Sequence, residues 1–305
     1  MYKFDNEEYF KGRSPQLLLL LFLVAIVFLA AFVQLILVGV YSLLNIEVST
    51  LLASVDPQAG VLLGVLNTLT IGLSMGGAVF LLLKYEKKSF NYLSASVSVK
   101  TIGIFISALF LVIYSKTVAE YLAIINQKID LPEFMVLQQE QNDSAVKLML
   151  SVLDYPMGVF LLIIFMAIVP AFFEEIVFRG VLQNLLHRIT SNVHVSIFVA
   201  GFIFSAIHFQ FAGFLPRMFL GVVLGYMYYW SRNIWLPIFG HFCFNGSTLL
   251  TVYLAHQKGI SIDAIANEVP QVESVNVLLS VFFFVLLLFF YQRNCWISLN
   301  RKQES

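Results

Sequence analysis

Long apolar runs separated by short polar segments dominate this chain, and the pattern predicts a bundle of membrane-spanning helices. A helix needs roughly 20 apolar residues to cross the hydrocarbon core of a bilayer. Eight segments approach this length and are numbered here as the predicted spans one to eight: 16–44, 60–83, 101–124, 156–173, 195–212, 214–230, 234–254 and 275–292. The polar stretch 125–155, between the third and fourth spans, is predicted to be an outer loop with a short helix.

The composition agrees with a bilayer environment. The chain is 59% hydrophobic and 12% charged, with a mean hydropathy of +0.86, whereas soluble domains are about 45–50% apolar and about 25% charged. Because lipid cannot satisfy backbone polar groups, the spans must bond internally as helices. The predicted fold class is therefore all-α, a polytopic integral membrane protein with about eight transmembrane helices. The net charge of zero provides no field that would attract nucleic acid.

Lysine and arginine are concentrated in alternate connections, which predicts the side of the membrane on which each connection lies. The basic connections contain Lys3, Lys11, Arg13, Lys84, Lys87, Lys88, Lys100, Arg179, Arg188, Arg232, Arg293, Arg301 and Lys302. The acidic connections contain Glu47, Asp56, Asp130, Glu133, Glu140, Asp143, Asp154, Asp263, Glu268 and Glu273. We therefore predict a multi-pass protein of the cell membrane with both termini in the cytoplasm. The start of the chain lacks the pattern of a signal peptide, so we expect the first span to be retained.

The chain is predicted to divide into three parts. Residues 1–150 would supply three packing spans and an outer loop, residues 151–255 a membrane core that carries the candidate functional residues, and residues 256–305 an outer loop, the last span and a cytoplasmic tail. Ionisable residues within the first three spans are confined to Lys116 and Glu120. An ionisable residue inside a span costs at least ~2.5–3.5 kcal/mol on insertion scales, so the many that follow residue 156 indicate function.

Six polar residues in the second part are the candidates for chemistry: Glu174, Glu175, Arg179, His208, His241 and Asn245. Glu175 and Arg179 are four residues apart, so they share a helix face and can pair. Glu174 points about 100° away from that face, which leaves its carboxylate for chemistry. A carboxylate, two imidazoles and an amide on three helices can activate a water and stabilise an oxyanion.

The depth of His208 conflicts with that of the other candidates. At 1.5 Å per residue, counted from the predicted starts of the spans, His208 lies roughly 10 Å deeper than His241. The two imidazoles meet only if the fifth span starts in the cytosol and the seventh is tilted or bent at Pro237.

Three short motifs carry a family resemblance. Glu174–Arg179 reads EExxxR, Phe204–His208 reads FxxxH, and His241–Asn245 reads HxxxN. In this order and on separate spans, they resemble the CAAX-protease and bacteriocin-processing (Abi) family, which includes the type II CAAX prenyl endopeptidases. The resemblance covers about residues 155–255. It implies an all-helical membrane fold of about eight spans and hydrolysis of a peptide bond in or at the membrane.

The resemblance also implies a role for each candidate. Glu174 would be the general base that activates water, and His208 would orient that water or shuttle protons. His241 and Asn245 would form the oxyanion hole or complete the water site. The paired charges that follow Glu174 would hold the cluster together.

A metal ion is the open alternative to a mechanism that uses the glutamate alone. Two histidines and a carboxylate can bind Zn²⁺ and leave one coordination position open. HExxH is absent, however, and the histidines lie on different spans. We favour the metal-free mechanism and predict no cofactor. If a metal takes part, its ligands would be Glu174, His208 and His241.

The sequence thus predicts an intramembrane endopeptidase acting on a lipidated or small membrane-associated peptide. Its cavity is expected to open to the cytoplasm, because Glu174 would close the fourth span near the inner face. One alternative is a transporter or proton-coupled channel that uses the buried cluster, although no internal repeat favours it. Another is a non-catalytic immunity or scaffold protein. A GxSxG sequence at Gly72–Gly76 lies within a span and is interpreted as a packing face, not as a nucleophile elbow at Ser74.

Overall fold

The computed structural model describes residues 13–43, 50, 56–90, 93, 102–266 and 271–300. Some residues that contributed to the predicted orientation lie outside the described residues: Lys3, Lys11, Glu47, Lys100, Glu268, Arg301 and Lys302. The described part of the chain consists of helices, turns and connections without strands. The predicted all-α class is therefore confirmed.

Ten helices form in the described part of the chain. They are α1 (Pro15–Leu43), α2 (Pro57–Tyr85), α3 (Ile102–Asn126), α4 (Glu133–Leu150), α5 (Gly158–Thr190), α6 (Val193–Ala206), α7 (Phe214–Ser231), α8 (Trp235–Gln257), α9 (Ile262–Ala266) and α10 (Ser274–Asn300). Seven of them, namely α1, α2, α3, α5, α7, α8 and α10, are long and apolar enough to cross a membrane. This confirms a polytopic membrane protein.

The fifth predicted span is shorter than expected. Helix α6 has 14 residues, which is about 21 Å of helix, against roughly 30 Å of hydrocarbon. It ends at Ala206, and the chain turns at Phe209, whose φ is 52°. The prediction of a span over 195–212 was therefore wrong at its C-terminal end. The chain still passes from one end of the bundle to the other along α6.

The fourth predicted span is longer than expected. Helix α5 runs for 33 residues, from Gly158 to Thr190, so the predicted end at residue 173 was wrong. Glu174 and Glu175 lie in its middle, between π-helical turns at Ile163–Ile168 and Ile176–Leu182. Such turns interrupt α-helices most often at functional sites. Helix α5 continues through its polar residues because these side chains are buried inside the protein and do not face lipid.

Basic residues gather at one end of the bundle. The Arg188 guanidinium donates to the Arg13 carbonyl at 3.0 Å, and Arg13 Nε lies 3.7 Å from Glu86 Oε1. These contacts bring the start of α1 together with the ends of α2 and α5. We name this the basic end; its described charged residues are Arg13, Lys84, Glu86, Lys87, Lys88, Arg188, Arg232 and Arg293.

Acidic residues dominate the opposite end. Lys147 of α4 pairs with Asp263 at 2.8 Å, and His256 Nε2 lies 3.0 Å from Asp154 Oδ1. The Asn126 side chain, at the end of α3, donates to the carbonyl of Phe211 at 2.7 Å. We name this the acidic end; its described charged residues are Asp56, Lys128, Asp130, Glu133, Glu140, Asp143, Lys147, Asp154, Lys258, Asp263 and Glu273.

Two apolar clusters hold the bundle together. One joins α1, α2, α5 and α6 around buried residues such as Phe22, Phe178 and Phe204. The other joins α3, α7, α8 and α10 around residues such as Leu111 and Leu224. Because α3 packs against α7, α8 and α10, helices of the predicted first part contribute to the same bundle as the rest. The division at residues 150 and 255 remains a prediction.

Glycines allow close helix contacts in this bundle. A Cβ added to Gly64 of α2 would lie 2.2 Å from the Phe165 ring, and one added to Gly221 of α7 would lie 2.9 Å from Gly201 of α6. The Ser74 hydroxyl donates to the Thr70 carbonyl of its own helix. A Cβ added to Gly76 would lie 2.7 Å from the Phe173 ring, which agrees with the interpretation of Gly72–Gly76 as a packing face.

Candidate active site

Two histidines converge on the carboxylate of Glu174. His208 Nε2 lies 3.8 Å from Glu174 Oε1, and His241 Nε2 lies 4.0 Å from Glu174 Oε2. Both separations exceed hydrogen-bonding distance and suit a bridging water. Glu174 itself is buried, with 7% of its surface exposed. The structure thus places three of the predicted site residues around one small space.

Glu175 orients His241 from the other side of the ring. Glu175 Oε1 lies 2.7 Å from His241 Nδ1 and accepts a hydrogen bond of 2.7 Å from Arg179 Nη1. Neither Glu175 nor Arg179 is accessible to solvent, at 0% and 1% exposure. A buried carboxylate needs such partners, because an unpaired charge in the interior is costly. The expected Glu175–Arg179 pair is present, and its link to His241 is an additional contact that helical spacing did not predict.

Arg179 has two further contacts that fix its position. Its Nη2 atom donates to the Gly221 carbonyl at 3.0 Å, and its Cζ lies 4.9 Å from the centre of the Phe204 ring. The Phe204 ring also meets the rings of His208 and His241 edge-on, at 5.1 and 5.8 Å between centroids. Phe204, expected to lie beside His208, therefore packs against three polar members of the cluster.

His208 reaches the site from the turn that follows α6. Its Nδ1 lies 2.7 Å from the Phe204 carbonyl, and 27% of its side chain is exposed. The 10 Å mismatch in depth expected between His208 and His241 is not present, since both imidazoles lie within 4.0 Å of the Glu174 carboxylate. His208 lies in the turn beyond the end of α6, not inside a span.

Asn245 lies on α8 one turn beyond His241. Its Nδ2 donates to the Met166 carbonyl at 3.1 Å, in the π-helical turn of α5 that precedes Glu174. The side-chain amide therefore ties α8 to α5 at the level of the site. Asn245 faces the same cavity as Glu174, His208 and His241, so the structure brings all four predicted chemical residues to one cavity.

The cavity has a volume of about 540 Å³. Its walls are mostly apolar, with Phe165, Met149 and Leu249 among the lining side chains, and Glu174 lies on its surface. Ligand sites are commonly concave, apolar and equipped with a few polar groups. Arg217 also lines this cavity. The sequence pattern did not establish whether Arg217 faced a cavity or the membrane interface.

Arg217 is held by neutral partners. Its Nη2 atom donates to Gln210 Oε1 at 2.6 Å, and its Nη1 atom donates to the backbone carbonyl of Gln210 at 3.2 Å. Both residues belong to the cavity wall. The Pro216–Arg217 sequence at the start of an apolar helix was the available signal, since a cation within a span tends to face a cavity or a partner.

The chemistry of the donor set is compatible with zinc, but its arrangement fits less well. Within the described ranges, no group of three or more His, Cys, Asp and Glu side chains is arranged to hold a metal ion. Zinc ligands lie about 2.0–2.2 Å from the metal. The gaps of 3.8 and 4.0 Å between the histidine nitrogens and Glu174 would have to contract for all three side chains to share one ion.

Together the fold and the site define a polytopic membrane protein with a carboxylate–histidine cluster inside the bundle. Residues 156–247 match the family described as Type II CAAX prenyl endopeptidase Rce1-like. The predicted family resemblance is thereby confirmed over this segment. The segment contains all six predicted site residues. The family that this segment matches is described as one of prenyl endopeptidases.

Two relatives from Bacillus subtilis (strain 168) match part of the chain. "Uncharacterized protein YpbD" is 32% identical over 100 residues, which is 32% of this chain and 48% of that protein. "Putative membrane peptidase YdiL" is 30% identical over 95 residues, which is 31% of this chain and 38% of that protein. The matches thus span less than half of each relative. No solved structure matches the chain.

Proposed function

We propose that this chain is an intramembrane endopeptidase in which Glu174 activates a water for attack on a peptide carbonyl. The observation that carries the proposal is the convergence of two histidine Nε2 atoms on the Glu174 carboxylate, at 3.8 and 4.0 Å, on the wall of a cavity. The family match to a prenyl endopeptidase supports the reaction class.

The hydrogen bonds of the two histidines assign them different roles. The carbonyl of Phe204 only accepts hydrogen bonds, so the proton of neutral His208 resides on Nδ1 and its Nε2 is an acceptor facing Glu174. His241 Nδ1 lies 2.7 Å from the Glu175 carboxylate and donates to it. In the proposed reaction, His241 carries a proton on both nitrogens and donates from Nε2 to an oxyanion.

The proposed reaction follows from these roles. Glu174, aided by His208, accepts a proton from water as the water oxygen bonds to the peptide carbonyl carbon. The resulting oxyanion accepts hydrogen bonds from His241 and from the free N–H of the Asn245 amide. The carbon–nitrogen bond then breaks, and the proton held at Glu174 passes to the leaving nitrogen. The products are a carboxylic acid and an amine, and the acid then passes its proton to the amine or to water.

The substrate is proposed to be a lipidated or small membrane-associated peptide. The largely apolar cavity walls favour apolar side chains or an acyl or prenyl group beside the reacting bond. No cofactor is required for this reaction. If zinc takes part, Glu174, His208 and His241 are the residues that would hold it, and it would polarise the carbonyl and acidify the water.

The decisive test uses purified Glu174→Gln and Glu174→Ala protein on a fluorogenic lipidated peptide. We expect both variants to lose activity by about 10²–10⁴-fold, the usual contribution of a general base. Glu140→Gln, which changes an exposed carboxylate at the acidic end, is the matched control and should cleave normally. Activity retained in both Glu174 variants would exclude this base. Metal content and chelator sensitivity, measured on the same preparation, would decide between the two mechanisms.

A further inference from the structure

The cavity extends from Glu174 toward the acidic end of the bundle. Most of its lining residues lie between the level of Glu174 and that end. Phe165 precedes Glu174 on α5, Arg217 lies in the first turn of α7, and Thr248 follows His241 on α8. Met149 belongs to α4, which lies across the acidic end. The mouth of the cavity therefore lies among α4, α7 and α8.

The path from Glu174 to the basic end is closed. Every residue of α5 from 174 to 185 is buried. Phe178 and Leu182 are each 3% exposed, and Tyr228 of α7 is 1% exposed. Buried Asn184 fills the space between them by donating to the Tyr228 hydroxyl at 3.1 Å. Packing of this density leaves no passage for a peptide.

The two ends differ strongly in charge. The basic end has seven basic residues and one acidic residue among the described residues, and the acidic end has three basic and eight acidic ones. Lysine and arginine in short connections mark the cytoplasmic side of a membrane protein. The basic end is therefore the cytoplasmic end. Both the first and the last described helices, α1 and α10, have their outer termini there.

We propose that the Glu174 site opens on the extracytoplasmic side and acts on apolar peptide segments held in or beside the outer half of the bilayer. The earlier expectation of a cytoplasmic opening depended on Glu174 lying at the inner end of a span, and Glu174 lies instead in the middle of α5. This inference rests on the proposed function for the identity of the reaction, but the direction of access does not depend on catalysis.

Helix α4 lies beside this opening. The Asn142 side chain donates to the Phe209 carbonyl at 2.9 Å, next to His208, and the Ala212 amide donates to Gln139 at 3.3 Å. Lys147 pairs with Asp263 on α9. The first part of α4 is held by these polar contacts, whereas Leu148, Met149 and Leu150 at its end are buried. Because α4 is far less apolar than the spans, the helix suits the membrane surface above the cavity.

The test measures labelling of single cysteines from each side of the membrane. The two native thiols, Cys243 and Cys295, are replaced by alanine in the full-length chain. Thr248→Cys then reports on the cavity, Ser144→Cys on the acidic end, and Ser89→Cys on the basic end; all three side chains are exposed. A membrane-impermeant maleimide is added to spheroplasts and, separately, to inside-out membrane vesicles.

The proposal expects Thr248→Cys and Ser144→Cys to be labelled in spheroplasts and Ser89→Cys only in inside-out vesicles. Labelling of Thr248→Cys only in inside-out vesicles would overturn it, and so would a Thr248→Cys that stays unlabelled in both preparations. The same measurement in the Glu174→Gln background separates the two proposals. Outside labelling with activity retained in Glu174→Gln refutes only the base, whereas inside labelling with activity lost refutes only the direction of access.

Discussion

Adjacent glutamates in α5 should respond in opposite ways to the same conservative change. Glu174→Gln and Glu175→Gln each remove one negative charge and preserve shape. Glu175 is in contact with Arg179 and His241, both at 2.7 Å. Among the described side chains, Glu174 has two longer contacts, both with histidines. We therefore expect the first variant to lose activity and keep its stability, and the second to lose stability.

The magnitudes follow from burial. The side chains of Glu175 and Arg179 are 0% and 2% exposed, and removing one partner of a buried ion pair costs about 3–5 kcal/mol. Without Glu175, the Arg179 guanidinium keeps the neutral Gly221 carbonyl as a partner. Glu174→Gln breaks no short hydrogen bond, so its cost should stay below about 1 kcal/mol, the net value of one such bond. Its loss of activity should reach about 10²–10⁴-fold.

Thermal unfolding in detergent, followed beside peptide cleavage, separates the two effects. The midpoint of Glu175→Gln should fall on the order of 10 °C, and that of Glu174→Gln should stay close to wild type. A double variant, Glu175→Gln with Arg179→Gln, should be more stable than the sum of the two single changes predicts, by about 0.5–3 kcal/mol. Equal stability losses in the two glutamate variants, or strictly additive losses in the double variant, would refute this account of the cluster.

Further substitutions test the remaining members of the site and the packing beside it. His208→Ala should lower cleavage by about 10²–10⁴-fold without a comparable fall in midpoint, measured on the same two assays. Asn245→Ala should lower it by about 10²–10³-fold if its amide donates to the oxyanion, and unchanged cleavage would remove it from the site. Gly64→Ala should destabilise the protein by about 1–3 kcal/mol, because the new methyl group would meet the Phe165 ring at 2.2 Å. Gly72→Ala is its control, since the nearest atom there lies 3.6 Å away.

Much of the fold could be predicted because the bilayer imposes a simple rule on sequence. Apolar runs of sufficient length must be helices, and five of the eight predicted spans agree with the observed helices to within three residues at each end. The eighth corresponds to α10, which continues eight residues beyond the predicted end. The site residues could be predicted as a group because buried polar side chains stand out in such runs. Their roles remain predictions until the variants are measured.

The two incorrect spans have separate physical causes. Helix α5 continues to Thr190 because the protein itself satisfies its polar residues; Gln183 donates to the Gly225 carbonyl at 3.1 Å, and Asn184 donates to the Gly180 carbonyl at 2.9 Å. A hydropathy criterion assumes lipid around the helix and cannot foresee this. Helix α6 ends early at a turn through Phe209, which adopts a positive φ without glycine, a conformation that sequence rarely signals.

The short helix α6 also affects the lipid around the protein. Its outer face exposes Phe198 and Phe202, at 50% and 52%, so lipid contacts a hydrophobic segment about 9 Å shorter than an average bilayer core. Bilayers adapt to such hydrophobic mismatch by thinning, at a cost of fractions of a kcal/mol per Å. The thinned annulus lies beside His208, at the C-terminal end of α6. The protein should therefore respond to the acyl-chain length of the surrounding lipid. Lipids with shorter chains should reduce the mismatch on the side of the bundle where His208 lies.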